Sequence, residues 1–286
     1  MPELPEVETI RRDLSENLVG QRIETLALSR EDILHGADRS GFVARLGGRR
    51  VLNVDRRGKN LIIRLSGEIA VLVNLGMTGQ LFVCGSDGTC DDHTHLVADL
   101  SDGKCLVFRD VRRFGHIELA RVNMLGESFT LRNVGVDAVS EEFTPDYLAS
   151  MLRGRTALLK SALLDQSRLA GLGNIYVCEA LFRAGICPEA RCGDVTDKDV
   201  ERLHQAIREV LSEAIDAEGT TISDYVTGNR VPGSFQERLA VYGREGEVCR
   251  RPGCRHSIER VVQSNRSTFY CPGCQRGAGP NRSDQC

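Results

Sequence analysis

The chain has 286 residues, of which 41% are apolar, with no tryptophan, 11 cysteines and a formal net charge of −3. That length suits two domains better than one, and no apolar run approaches the ~20 residues of a membrane span. The N-terminus lacks the basic-then-apolar layout of an export signal, so a reduced cytoplasmic chain is expected rather than a secreted disulfide scaffold. The small net charge hides segregation. Seven basic residues face one acid between Arg45 and Arg64, and ten arginines face five acids from Gly228 to Cys286. Nine acids against three bases from Asp194 to Asp224 offset them. Such segregation is what a phosphate-binding face needs, although any one cluster is equally read as solvated charge.

Taken in chain order, the first element is Met-Pro-Glu-Leu-Pro-Glu. Loss of Met1 would leave Pro2 as an N-terminal secondary amine, a nucleophile with a pKa near ~8 that forms an iminium with carbon electrophiles. Glu3 beside it could move protons. The same residues would also make an ordinary start to a capped helix. Val7, Ile10, Leu14 and Leu18 then predict a helix over 5–17. From about 21 to 122 the pattern is short alternating runs, VLNV, NLIIRL, IAVLVNL, GQLFV, LVADL, KCLVF and HIELA, which read as strands. So many strands without intervening helices indicate an antiparallel sandwich or barrel, with a turn at Arg57-Gly58-Lys59-Asn60.

Residues 123–145 have mixed polarity and no period, as in a linker. Helices are predicted over 146–152, 156–166, 174–185 and 196–217, the last amphipathic. Residues 219–247 read as a loop, and the final GAGPNRSDQC as a disordered tail. Only four lysines (Lys59, Lys104, Lys160 and Lys198) stand among 33 arginines. Arginine does not deprotonate and lysine does, so a retained lysine points to chemistry.

Near the C-terminus, Cys249-x4-Cys254 and Cys271-x2-Cys274 are separated by 16 residues. Two thiolate pairs joined by a hairpin predict one structural Zn2+ with four cysteine ligands and no open position. The other seven cysteines have no ligand spacing. Arg266 falls where the hairpin would turn.

Seven motifs stand in one order: PELPEVETIRR at 2–12, RRGKNLI at 56–62, GMTGQL at 76–81, FRDVRRFG at 108–115, LLDQSRLAGLGNIYVCEALFRAGICP at 163–188, VYGREGEVC at 241–249 and NRSTFYCPGCQ at 265–275. Together they resemble the formamidopyrimidine-DNA glycosylases (8-oxoguanine DNA glycosylase/AP lyases) from residue 2 to about 276. The resemblance implies an α+β multidomain protein. An N-terminal antiparallel β-sandwich flanked by helices (1–130) precedes a linker (131–150). A helical helix–two-turn–helix domain with the lesion loop (151–240), a four-cysteine zinc-finger hairpin (241–276) and a disordered tail (277–286) follow. It further implies a monomeric, bacterial-type, nucleoid-associated enzyme that binds damaged double-stranded DNA and excises oxidised purines.

By the same resemblance, Pro2 attacks C1′ of an extruded nucleotide and Glu3 is the acid. Lys59 is a proton donor or lesion contact, against the alternative of a solvated turn lysine. Arg266 grips phosphate. Glu6 supports the site or serves the helix dipole. Met77, Arg112 and Phe114 match the residues that fill the vacated space, where Phe can wedge between bases and Met is adaptable filler; by composition alone Met77 and Phe114 would be core. His93, Arg113, Arg155, Lys160 and Asn174 match DNA contacts. Residues 220–235 match a loop closing over an oxidised purine.

Three departures stand out: four residues between the first two ligand cysteines instead of two, Asn74 where His often precedes Leu-Gly-Met, and Ser234 where Tyr is common. The competing readings are an endonuclease VIII-type enzyme, which typically opens PEGPE, a catalytically silent DNA binder, and a zinc-ribbon interaction module.

Overall fold

Leu4, Val7, Ile10, Leu14 and Leu18 recur every three or four residues, and the helix they predict forms as α1 (Leu4–Leu18), with all five side chains buried. Pro5 lies in its first turn, where a missing N–H costs nothing, and Glu3 and Glu6 form a capping box at its start. The computed structural model describes residues 2–85, 91–220 and 233–277. The tail and most of the loop at 220–235 lie outside the described residues. The chain divides into two compact units, Met1–Val134 with Ala217–Gln236, and Gly135–Asp216 with Glu237–Cys286.

The first unit is the expected sandwich. One sheet has the order β1-β7-β8-β6, built from β1 (Ile23–Leu28), β6 (Gly79–Gly85), β7 (Thr94–Leu100) and β8 (Lys104–Asp110). The other is β2-β9-β5-β4-β3, from β2 (Leu34–His35), β3 (Val51–Arg57), β4 (Asn60–Leu65), β5 (Ile69–Asn74) and β9 (His116–Arg121). All pairings are antiparallel except β2 with β9. Leu61, Ile63, Val71 and Val73 from one sheet and Leu96, Ala98, Leu106 and Phe108 from the other share a single core with α1.

Two expectations fail here for identifiable reasons. A short helix, α2 (Arg39–Leu46), interrupts the strand run. Its interior Gly41 disfavours helix, but the Asp38 side chain accepts from the Gly41 N–H at 2.8 Å and Phe42 and Leu46 are buried, so capping and packing prevail. Residues 123–134, read as linker, instead cover the outer face of the second sheet, where Leu131 packs with Ile62, Ala70 and Leu72. β4 and β5 are apolar on both faces, so their outer face needs a lid as well.

The second unit is helical, with α3 (Pro145–Leu152), α4 (Leu159–Leu163), α5 (Asn174–Ala184) and α6 (Asp197–Asp216). Thr144 caps α3, and Thr196 with Asp199 caps α6 reciprocally. Between α4 and α5 the Gln166 amide reaches the Leu164 and Leu172 carbonyls and the Gly171 N–H, closing two successive turns. Two short parallel strands, β10 (Val136–Asp137) and β11 (Leu169–Ala170), tie that segment to the unit's start. The hairpin β12 (Glu259–Gln263) and β13 (Arg266–Tyr270) turns through Ser264 and Asn265, both at positive φ (49° and 59°), as a type I′ turn requires.

Glu179 of α5 is fully buried and accepts the backbone N–H groups of Ala240, Val241 and Tyr242, each at 2.9 Å. Glu179→Ala strands one buried and two part-buried donors, and the unfolding free energy in urea is expected to fall by about 3 kcal/mol. Glu179→Gln, which keeps an acceptor oxygen, is expected to lose less; equal losses would show that the amides recruit water.

Candidate active site and zinc site

In the first unit, the site is built on one helix end and three loops. Pro2 and Glu3 are both buried at the head of α1. The Glu6 carboxylate takes the Glu3 N–H on one oxygen and the Thr220 N–H on the other, both at 2.8 Å. Gly219 turns beside it at φ 84°, and a Cβ there would lie 2.9 Å from Glu6 Oε1, so glycine is required for this approach. Downstream, the Phe235 N–H bonds the Gly219 carbonyl at 3.1 Å and the Phe235 ring is fully buried. The described ends of the 220–235 segment are therefore fastened to each other and to the N-terminal helix.

Lys59 sits in the two-residue turn between β3 and β4 and is only 9% exposed. A chain of contacts connects that turn to α1. Glu8 accepts from Arg56 Nε at 3.1 Å, and an Arg56 terminal nitrogen donates to the Gly58 carbonyl at 2.8 Å. Arg11 and Arg12 complete the cluster around Glu8. Burial works to raise the Glu8 pKa, but the Arg11 and Arg56 guanidiniums outweigh it and hold the carboxyl below its usual value.

Asp110, at the end of β8, is fully buried. One oxygen accepts from Thr78 Oγ1 at 2.5 Å and from the Arg112 N–H at 3.2 Å; the other accepts the Gly115 N–H at 2.8 Å. Thr78 Oγ1 also accepts the Arg112 N–H at 3.0 Å. Gly76 packs directly on the second loop, since a Cβ there would lie 2.5 Å from both the Phe114 carbonyl carbon and the Gly115 nitrogen. The loops of Met77 and of Arg112–Phe114 are thereby locked together. Met77 remains 39% and Phe114 57% exposed, and the Arg112 guanidinium lies 4.8 Å from the Phe114 ring centre. Arg113 is exposed at φ 56°, and His93 is half-buried with its carbonyl accepting the Asp110 N–H at 3.0 Å.

The second unit gathers another set. Asn174 Nδ2 donates to the Ser267 carbonyl at 2.8 Å, and Lys160 Nζ reaches the same carbonyl at 3.4 Å and the Thr268 hydroxyl. Lys160 is 2% exposed, so its ammonium supports β13 from beneath. Exposed Arg266 precedes Ser267 on that strand. Arg155 is not part of this group. It is half-buried near Cys192, where burial raises the thiol pKa and the Arg155 charge opposes the rise.

The ligand atoms of Cys249, Cys254, Cys271 and Cys274 lie within 4.8 Å of one another. Cys249–Cys274 and Cys254–Cys271 sulfur separations are 3.7 and 3.6 Å. A tetrahedral site with Zn–S bonds of ~2.3 Å places its sulfurs about 3.8 Å apart, so the four-residue spacer between Cys249 and Cys254 still fits the metal. Cys84, Cys105, Cys178 and Cys192 carry thiols that are not joined in disulfides.

Glu8, Arg56, Thr78 and Asp110 escaped the sequence reading as site residues. Each lies inside a recognised motif, but ordinary Glu–Arg spacing and a strand-end Asp carry no signal of which loop they hold.

Three family models cover most of the chain: the formamidopyrimidine-DNA glycosylase N-terminal domain over residues 1–117, the formamidopyrimidine-DNA glycosylase H2TH domain over 134–226, and the zinc finger found in FPG and IleRS over 246–277. The chain belongs to the formamidopyrimidine-DNA glycosylase family. A formamidopyrimidine-DNA glycosylase of Ruegeria pomeroyi is 42% identical over 284 residues, covering 96% of this chain and 100% of the relative. The MutM (Fpg) protein of Thermus thermophilus superimposes with a TM-score of 0.86 at 40% identity, over 98% and 100% of the two chains. The Lactococcus lactis Fpg in complex with abasic-site DNA gives 0.89 at 33% identity, over 96% and 99%. The α+β architecture and four-cysteine zinc site expected from the sequence are those of this family. Among the described residues, no helix is long and apolar enough to cross a membrane.

The Glu8 cluster makes acid sensitivity in this family member measurable. Because its folded pKa is depressed, Glu8 stabilises above the usual carboxylate range and loses that contribution as pH falls through the folded value. Glu8→Gln is expected to cost about 2 kcal/mol at pH 7, with the difference from wild type shrinking below about pH 4 in chemical denaturation. A constant difference would exclude ionisation as the cause. Elemental analysis is expected to find one zinc per chain, and Cys271→Ser to lose it; full zinc retention in that variant would overturn the four-cysteine assignment.

Proposed function

We propose that this chain is a bifunctional DNA-repair glycosylase and AP lyase that removes oxidised purines, 8-oxoguanine and formamidopyrimidines, from duplex DNA. The observation that carries this reading is an exposed apolar wedge on rigid loops. Met77 and Phe114 stay open to solvent while buried Asp110 fixes the backbone that bears them. A side chain held in that way can enter a base stack and fill the space of an extruded nucleotide, with Arg112 addressing the orphaned base. Solved relatives bound to abasic-site and Fapy-dG DNA support the same partner.

The chemistry follows from the N-terminus. With Met1 removed, the neutral Pro2 nitrogen attacks C1′ of the extruded nucleotide and the bond to the base breaks, the electron pair leaving with the base. The adduct nitrogen loses its N–H proton to water, Glu3 protonates the sugar ring oxygen or the departing base, the ring opens, and the freed nitrogen lone pair completes a cationic iminium. The iminium acidifies the C2′ proton; its removal expels the 3′ phosphate by β-elimination, and δ-elimination then releases the 5′ phosphate. Water hydrolyses the iminium and returns the amine. Lys59 serves as proton donor or lesion contact from the β3–β4 turn.

Arg266 grips phosphate, since a guanidinium with a pKa above ~12 is a poor acid. His93, Arg113, Arg155 and Asn174 add phosphate contacts, Asn174 at a helix N-terminus with glycines before it. Lys160 contributes by holding the strand that carries Arg266. Cys249, Cys254, Cys271 and Cys274 would hold Zn2+ with every ligand position filled, so the ion would serve to fix the β12–β13 hairpin. The protein acts as a monomer on chromosomal DNA in the cytoplasm, in keeping with its bacterial relatives.

Incubation with duplex containing 8-oxoguanine opposite cytosine, followed by borohydride, is expected to trap a covalent adduct. Pro2→Gly is expected to remove most of the trapping while DNA binding persists, and Glu3→Gln to slow excision by about 10²–10⁴-fold. If wild type traps neither 8-oxoguanine nor abasic duplex, the enzyme reading is wrong. Trapping confined to oxidised pyrimidines would select an endonuclease VIII-type enzyme.

A further inference from the structure

Asn74 closes β5 between two loops that the proposed chemistry uses. Its Nδ2 donates to Asn60 Oδ1 at 2.7 Å, and its Oδ1 accepts the Gly76 N–H at 2.9 Å. Asn60, 6% exposed, donates from its own Nδ2 to the Arg57 carbonyl at 3.2 Å. The amide orientations in this chain are not interchangeable. A peptide N–H meets only oxygen, so Gly76 fixes Asn74; a carbonyl meets only a donor, so Arg57 fixes Asn60. The bond between the two side chains then joins donor to acceptor without a free choice. Both side chains use oxygen and nitrogen, and reversing either one would face like with like at two points.

The backbones of Asn60 and Asn74 already pair across β4 and β5, so the ladder does not need the side-chain link. What the link adds lies beyond the ladder's end. On one side it holds Arg57, at the base of the Lys59 turn. On the other it holds Gly76, next to Met77, and Gly76 in turn packs on Phe114 and Gly115. The sequence also departs from the common family pattern at this position, where histidine often precedes Leu-Gly-Met.

We propose that Asn74 is a positioning residue that couples the Lys59 turn to the Met77 loop, so that extrusion of the nucleotide and chemistry upon it are set by one amide relay. The inference rests on the glycosylase reading above. Its two arms separate experimentally. Asn74→Asp keeps an acceptor for Gly76 but loses the donor to Asn60; Asn60→Ala removes the same arm from the other side; Asn74→Ala removes both.

The zinc-loaded full-length variants are compared with wild type by two readouts. Unstacking by the wedge is followed by the fluorescence of 2-aminopurine beside a tetrahydrofuran abasic analogue, and chemistry by single-turnover excision of 8-oxoguanine. Asn74→Ala is expected to diminish the unstacking signal and slow excision by about five- to tenfold, the scale of one or two lost hydrogen bonds. Asn74→Asp and Asn60→Ala are expected to slow excision comparably while keeping most of the unstacking signal. Unchanged excision in all three variants overturns the relay. So does equal damage to both readouts by Asn74→Asp and Asn74→Ala, which is the mark of a purely structural residue. A wild-type protein that neither excises nor traps fails the glycosylase reading itself, and that result is visible before any variant is made.

Discussion

Loops can carry function only if their backbone N–H groups are satisfied, and here buried carboxylates do that repeatedly. Glu6 receives the N–H groups of Glu3 and Thr220. Asp110 receives those of Arg112 and Gly115. Glu118 receives Phe129 and Thr130, and Glu179 receives Ala240, Val241 and Tyr242. A carboxylate is an acceptor with about four lone-pair sites, so one side chain can fix several peptide groups of an irregular segment at once. Charge-assisted bonds of this kind are stronger than neutral ones. They let turns without regular secondary structure behave as rigid parts.

Rigidity matters most around Met77 and Phe114. An exposed Met or Phe on a mobile loop would collapse onto the nearest apolar surface. Met77 and Phe114 stay open because Asp110, Thr78 and Gly76 leave their loops no slack. The second unit repeats the strategy in another form. Asn174 and Lys160 converge on the Ser267 carbonyl, one residue from Arg266, while the zinc ligands hold the hairpin from its other end. In both units an exposed side chain, Met77 or Phe114 in one and Arg266 in the other, stands on backbone held by buried residues.

The architecture was legible in the amino-acid pattern where periodicity is strong. α1, α6 and most strands of the sandwich follow directly from apolar spacing, and the cysteine spacing predicts a four-sulfur cluster. Legibility failed at α2, whose helix depends on one Asp cap and two buried side chains rather than on propensity. It failed again at residues 123–134, where a mixed-polarity stretch covers a sheet face that only the three-dimensional pairing reveals as apolar on both sides. The candidate site was legible as motifs, but its supports were not. Nothing in the local composition of Asp110 or Asn74 says which distant N–H or amide each will meet.

The Glu6 carboxylate joins residues 214 positions apart in the chain. That bond sets an order of assembly. The first unit contains Met1–Val134 and Ala217–Gln236, with Gly135–Asp216 belonging to the other. On a ribosome adding roughly 5–20 residues per second, about 4–16 s pass between synthesis of the first stretch and of the returning one. During that interval the amine end of the chain exists without the segment that fastens beside it. The N-terminus is thus made first and fastened late, only after Thr220 of the 286-residue chain has been added.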